Sequence, residues 1–208
     1  DDAKLVSREL VLTLTGRDCG LEERAPMCGV PYHSAEGYIA KLVRKGYKIA
    51  ICEQMEDPKL AKGLVKREII RRVTPGTVVE ASMLDENRNN FLGCVFAVQG
   101  GIGVCFADIT TGEVYATGSD NWQDIASELG RFAPREVLVG GTAATAESFH
   151  SFLKERLEAL IEPMPEECFD PQRAAARVMQ HFCIEDFDAA GLTDLPQTVQ
   201  CLGGLLDY

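Results

Sequence analysis

The stretch Phe91-Leu92-Gly93-Cys94-Val95-Phe96-Ala97-Val98-Gln99-Gly100-Gly101-Ile102-Gly103-Val104-Cys105-Phe106-Ala107-Asp108-Ile109 decides the architecture of most of this chain. Two apolar runs rich in β-branched and aromatic residues flank a Gly-Gly pair, the pattern of a β-hairpin. Thr110-Thr111-Gly112 marks a second turn and Glu113 to Thr117 a third strand. Asp120 or Asn121 then caps a helix whose apolar face is Trp122, Ile125, Ala126, Leu129 and Phe132, the 3.6-residue period. Pro134 stops it.

Val137-Leu138-Val139 is short and wholly apolar, as expected of a strand buried in a parallel sheet. A helix over about 145 to 160 should bury Phe149, Phe152, Leu153 and Leu157. Ile161 to Glu166 carries two prolines, which restricts it to an edge strand or a loop. A helix over Gln172 to Phe182 should bury Ala175, Val178, Met179 and Phe182, and Leu195 to Leu206 repeats a helical pattern. Three antiparallel strands followed by helix, strand and helix is the order of ribonuclease H-like folds, so this part is expected to be α/β. A right-handed crossover to the parallel strand limits the alternatives.

Upstream, Ile69-Ile70-Arg71-Arg72-Val73-Thr74-Pro75-Gly76-Thr77 reads as the last strand of another domain, stopped by a Pro-Gly turn. Before it the pattern predicts a helix over Asp2 to Leu10, a strand over Val11 to Thr15 broken at Gly16, and a loop through Pro26. A helix follows Ser34 as N-cap, with Tyr38, Ile39, Leu42 and Val43 on one face, and Gly46 ends it. Tyr47 to Cys52 reads as a buried strand, and Leu64 to Val73 as the next. A polar bridge from Glu80 to Asn90 separates the two patterned regions, which places domains at 1–80 and 88–208.

The composition is that of a globular protein, and no run of eighteen apolar residues suggests a membrane span. A net charge of −11 repels phosphate when taken as a whole. The charge is uneven, however. From Lys41 to Arg72 there are ten Lys and Arg against four Asp and Glu, whereas the chain after Thr77 is acidic. One nucleic-acid-facing module joined to a module that faces something else accounts for this. The eight cysteines include no Cys-x-x-Cys and no finger-like Cys/His spacing, so neither zinc nor a disulfide is expected. They read as small buried apolar residues of a cytoplasmic protein.

Catalytic patterns are sparse. A two-metal nuclease needs carboxylates converging at strand ends, yet Phe91 to Gln99 carries none. Asp108 is placed to cap a turn, and Glu128 has no evident partner. Gly100-Gly101-Ile102-Gly103 joins strand to strand and is no phosphate loop, and there is no Walker sequence. His33, His150 and His181 carry no nucleophile signature. The cationic residues Arg17, Lys66, Arg67, Arg71 and Arg72 carry more weight. Arg71 and Arg72 alternate on a strand, so only one of them faces a given ligand.

Several motifs in one order give the chain a resemblance that covers essentially its whole length. Asp1-Asp2-Ala3, Pro26-Met27-Cys28-Gly29-Val30-Pro31-Tyr32-His33, Ala50-Ile51-Cys52-Glu53-Gln54, Asp57-Pro58, Val73-Thr74-Pro75-Gly76-Thr77 and Asp108-Ile109-Thr110-Thr111-Gly112 resemble the bacterial MutS family of DNA mismatch-repair proteins. The resemblance implies a small mixed α/β mismatch-recognition domain lacking its first residues, then a ribonuclease H-like connector. It implies a sensor of mispaired and unpaired bases in duplex DNA. In the family a Phe wedges into the mismatch and a Glu two residues later bonds the displaced base. Both are expected to precede Asp1, within a fragment cut from a longer chain.

By position, the resemblance carries DNA contact onto Arg17, Met27 and Arg71. It implies that ATP and Mg serve the full-length protein and that this fragment holds no cofactor and catalyses no reaction. The partners it implies are mismatched duplex DNA, a MutL-like protein at the connector, and a second copy in a full-length homodimer, with no membrane. The outward side of the Gln172 to Phe182 helix, with Arg173, Arg177 and Gln180, is the expected partner contact. A ribonuclease H-like metal-dependent nuclease and a pure protein-interaction module are the alternatives.

Overall fold

The computed structural model describes residues 2–20, 22–57, 63–84 and 88–208. They form two compact units, residues 1–74 and 75–208. The first contains helix α1 (Asp2–Leu10), a ribbon of β1 (Thr15–Arg17) and β2 (Ala25–Met27), helix α2 (Ala35–Arg44), and a second ribbon of β3 (Ile49–Gln54) and β4 (Arg67–Val73). Both ribbons are antiparallel.

Helix α1 ends as its length allows, at Val11 with φ of 54°, where Leu12 N–H donates back to the Ser7 carbonyl at 2.9 Å. That left-handed step displaces the expected Val11 to Thr15 strand. The chain becomes extended only at Thr15, and Gly16 pairs with Pro26 instead of breaking the strand. Ser34 is the N-cap residue of α2, as expected, but its Oγ makes no capping bond and donates instead to the Pro31 carbonyl at 3.0 Å. Gly46 ends α2 as its φ of +83° permits. The β3 strand is half-exposed where a buried strand was expected, because only one thin ribbon surrounds it. Asp57 is described but Pro58 lies outside the described residues.

The second unit is a five-stranded sheet in the order β7-β6-β5-β8-β9. Its strands are β5 (Phe91–Val98), β6 (Gly101–Asp108), β7 (Glu113–Ser119), β8 (Glu136–Gly141) and β9 (Leu160–Pro163). β5, β6 and β7 are antiparallel neighbours, while β8 and β9 run parallel to β5. Helices α3 (Trp122–Phe132) and α4 (Glu147–Arg156) cover one face. Helices α5 (Pro171–Phe182) and α6 (Pro196–Asp207) cover the other. The period of two sorts the side chains: Val95, Val104, Phe106, Val137 and Val139 pack under α3 and α4, and Cys94, Phe96, Cys105 and Leu138 under α5 and α6.

Asn121 Oδ1 caps α3 by accepting from Gln123 N–H at 2.9 Å, and Asp170 caps α5 through Arg173 N–H at 2.9 Å. Phe182 is 38% exposed rather than buried, since Cys183 turns left-handed and the buried stripe of α5 is Ala174 and Val178. The second unit begins earlier than the polar bridge. Gly76 N–H donates to the buried Glu136 carboxylate at 3.0 Å, Tyr208 O–H donates to its other oxygen at 2.8 Å, and Asn90 Nδ2 donates to the Pro75 carbonyl at 3.0 Å. The Pro75-Gly76 turn is thereby tied to β8 within the second unit.

Helix α6 lies unusually near its neighbours because small residues face it. A Cβ on Gly203 would overlap Ala174 of α5, and one on Gly204 would overlap the Phe169 ring, which stacks on Phe96 at 4.7 Å. Gly203→Ala is therefore expected to destabilise the second unit by about 1–3 kcal/mol, the usual cost of overpacking, measured as a lower urea midpoint at unchanged m.

In the first unit, Lys45 Nζ bonds both the Glu9 carboxylate and the Glu9 carbonyl at 2.9 Å, tying the end of α2 to α1. The hydrogen bond from Lys45 holds the Glu9 carboxyl below its usual range, against an opposing effect of desolvation. A depressed carboxyl stabilises the fold above its unfolded pKa and loses that contribution as pH falls through the folded value. The Glu9 carboxyl should therefore titrate lower than in Lys45→Met by NMR. The stability difference between the two proteins should fade as the pH is lowered through the carboxylate range.

Candidate nucleic-acid interface

The β1–β2 ribbon positions two of the three expected DNA contacts together. Thr15 lies opposite Met27 and Arg17 opposite Ala25, so Arg17 and Met27 sit diagonally on one face of the ribbon. Both are exposed, Met27 to 45%. Thr15 Oγ1 donates to the Met27 carbonyl at 2.9 Å, which fixes the end of β2. At the far end Asp18 Oδ1 accepts from Gly20 N–H at 2.9 Å, a local turn just after Arg17. Gly16 lies close to Arg24: a Cβ there would stand 3.1 Å from Arg24 Cβ. Arg24 thus lies against the same ribbon and is exposed. Sequence reasoning passed over it because Glu22, Glu23 and Arg24 read together as a mixed-charge loop.

Arg71 stands elsewhere, on β4 opposite Ile51, and a register shift between Ile51 and Cys52 interrupts the pairing beside it. It is half-buried and already engaged with a partner, whereas Arg72 is exposed. The alternation expected of the two arginines is present. Arg71 is the inward one, held in place, and Arg67 and Arg72 are the outward ones. Ile69 and Ile70 are each 55% exposed, so β4 offers apolar as well as cationic surface.

The two units differ in charge. Residues 1–74 carry 14 Lys and Arg against 11 Asp and Glu, a net +3, and residues 75–208 carry 7 against 21, a net −14. A polyanion is attracted to the first and repelled by the second.

In the second unit Asp108, Asp124 and Glu128 each have a structural partner. Asp108 is buried and accepts from Asn90 N–H at 3.1 Å, Thr110 N–H at 2.9 Å and Thr110 Oγ1 at 2.5 Å. Glu128 pairs with Arg131 at 3.3 Å, and Asp124 accepts from Ser119 Oγ at 2.7 Å. Among the described residues, the one group whose side-chain atoms converge as metal ligands do is Cys94, Cys105 and Cys201. The expectation that the cysteines are all buried apolar fillers needs correction. Cys19, Cys52 and Cys183 are exposed and Cys28 half-buried, and only Cys94, Cys105, Cys168 and Cys201 lie in the core. Burial pushes the Cys168 thiol up to about 11, with Asp207 adding to the rise.

The expected partner-contact residues on α5 separate into two kinds. Arg173 and Gln180 are exposed. Arg177 instead folds back onto α6, donating to the Gly203 carbonyl at 2.6 Å and pairing with Asp207. His150 is half-buried, with Nε2 3.0 Å from the Ala143 carbonyl.

Comparison with known proteins divides the chain at nearly the same place. Residues 1–82 match the family model MutS domain I, and residues 90–208 match MutS domain II. The chain is 44% identical over its full length to the DNA mismatch repair protein MutS of Lachnoclostridium phytofermentans, covering 22% of that protein. It is 48% identical over 87% of its length to that of Acetivibrio thermocellus, covering 21% of it. It is 50% identical over 82% of its length to that of Clostridium botulinum strain Okra, covering 18% of it. The chain thus spans about a fifth of the length of these curated relatives.

Proposed function

The chain belongs to the MutS family of DNA mismatch repair proteins, spanning its domains I and II, and from that membership we propose that its first unit contacts mismatched duplex DNA while its second couples that contact to the rest of a longer protein. The observation that carries this reading is the β1–β2 ribbon, where Arg17 and the exposed Met27 share a face. A narrow two-stranded ribbon is of a size that enters a DNA groove. A cation at its edge meets phosphate, and an unbranched apolar side chain lies against bases whose stacking is already weakened.

Selectivity then comes from deformability. Unstacking costs least where pairing is poor, so a bent duplex reports the lesion without a base-specific code. Arg71, held by its own partner, presents a fixed charge, and Arg24, Arg67 and Arg72 add diffuse attraction. The second unit, at net −14, takes no part in DNA contact. We assign it to protein contacts: the exposed Arg173 and Gln180 of α5 face a MutL-like partner, and Arg177 supports that surface from behind. ATP with Mg, and the homodimer, belong to regions of the longer protein beyond these two units. The chain itself performs no catalytic step.

Alanine variants at the ribbon test the reading. Arg17→Ala should weaken binding to matched and mismatched duplex alike and flatten the slope of log K against log salt by about 1, as for one lost phosphate contact. Met27→Ala should weaken mismatched binding by roughly 1–2 kcal/mol, the scale of burying one apolar side chain, and matched binding much less, with the salt slope unchanged. Fluorescence anisotropy at several salt concentrations measures both. Unchanged affinity in both variants would exclude the ribbon from the interface.

A further inference from the structure

Cys94 and Cys105 stand directly opposite each other on β5 and β6. They face α6, whose Cys201 comes down between them. Cys201 approaches that closely because Gly103 of β6 and Gly118 of β7 leave room for the backbone and Thr198 of α6. The three Sγ atoms lie within 4.8 Å of one another, with Cys105 and Cys201 3.4 Å apart. All three side chains are completely buried. Leu92, Phe96, Leu138, Val199 and Leu202 belong to the same apolar cluster.

The set is a three-sulfur ligand group, and among the described residues no fourth His, Cys, Asp or Glu ligand atom joins it. Sulfur selects soft, thiophilic centres. A structural zinc takes four ligands almost without exception, and on three thiolates it would leave a net negative charge inside an apolar core. Copper(I) on three thiolates would leave more. A trivalent centre on three thiolates is neutral and needs no further ligand.

We propose that Cys94, Cys105 and Cys201 form a binding site for a trivalent thiophilic metalloid, with arsenic(III) captured as neutral arsenous acid. Three S–H bonds and three As–O bonds break, and three As–S bonds form. Each departing hydroxide leaves as water with one thiol proton, so three waters are released and no oxidation state changes. Cys201 Sγ donates to the Cys94 carbonyl at 3.1 Å, which keeps it beside the other two sulfurs. Binding staples α6 to β5 and β6.

The test removes the competing surface thiols with Cys19→Ser, Cys28→Ser, Cys52→Ser and Cys183→Ser, which leaves the four core cysteines. That protein is incubated with sodium arsenite, both folded and during refolding, so that burial cannot block entry. Native mass spectrometry is expected to show the gain of one arsenic and the loss of three hydrogens per chain. The thermal midpoint should rise, because the ligand binds only the folded form. Cys201→Ala in the same background should abolish uptake, and Cys168→Ala should leave it intact. Cys94→Ala gives the same reading if circular dichroism shows that Cys201→Ala does not fold. The proposal is overturned if no arsenic is taken up on refolding, if uptake survives loss of Cys201 and Cys94, if it needs Cys168, or if equimolar zinc displaces it.

Discussion

The second unit depends on β5 being buried on both faces. Seven of its eight residues, Phe91 to Ala97, are buried, and each neighbour in the sheet is fixed against it: β6 antiparallel on one side, β8 parallel on the other. With a period of two, a one-residue slip would exchange the α3–α4 layer for the α5–α6 layer along the whole strand. Shape forbids the exchange. Phe96 stacks on Phe169 in one layer, while Phe106 stacks on Phe132 at 4.2 Å in the other. The same double burial explains why the strand offers no catalytic carboxylate: an unpaired acid there would be desolvated without compensation.

The unit does bury two acids with hydrogen-bond partners, Asp108 and Glu136, and Glu136 joins its distant parts. The two Glu136 oxygens accept from Gly76 N–H and Tyr208 O–H, so the charge is bonded at both ends. It links the entry of the unit, the start of β8 and the end of α6. That linkage is why the Pro75-Gly76 turn, which reads as the end of one domain, packs as the beginning of the next.

Much of this was legible in the sequence because the second unit obeys simple periods. The hairpin at Gly100-Gly101, the α3 face through Leu129 and the short parallel β8 all follow from apolar spacing and turn chemistry. The first unit was less legible. Its ribbons are three to seven residues long and half-exposed, so alternation carries little signal. Val11 adopts a left-handed conformation that its β-branched side chain disfavours, which moved β1 away from the most strand-like residues. Met27 and Arg17 were singled out by resemblance, but their shared face needed the register. Arg177 looked like free surface, since a helix pattern cannot reveal that a long side chain reaches a neighbouring carbonyl. The cysteine cluster was invisible for a related reason: its members are 11 and 96 residues apart in sequence and meet only through β5–β6 pairing and the docking of α6.

The two units differ in charge, with net +3 in the first and −14 in the second. The central claim is that DNA contact is confined to the first unit and centred on the β1–β2 ribbon. Hydrogen exchange on the intact chain, at low salt with and without a duplex bearing one mismatch, tests this most directly. The account predicts slowed exchange in residues 15–27 and along β4, lost on adding salt, with α3 to α6 unchanged. Equal protection of the second unit, or none in the ribbon, would contradict it.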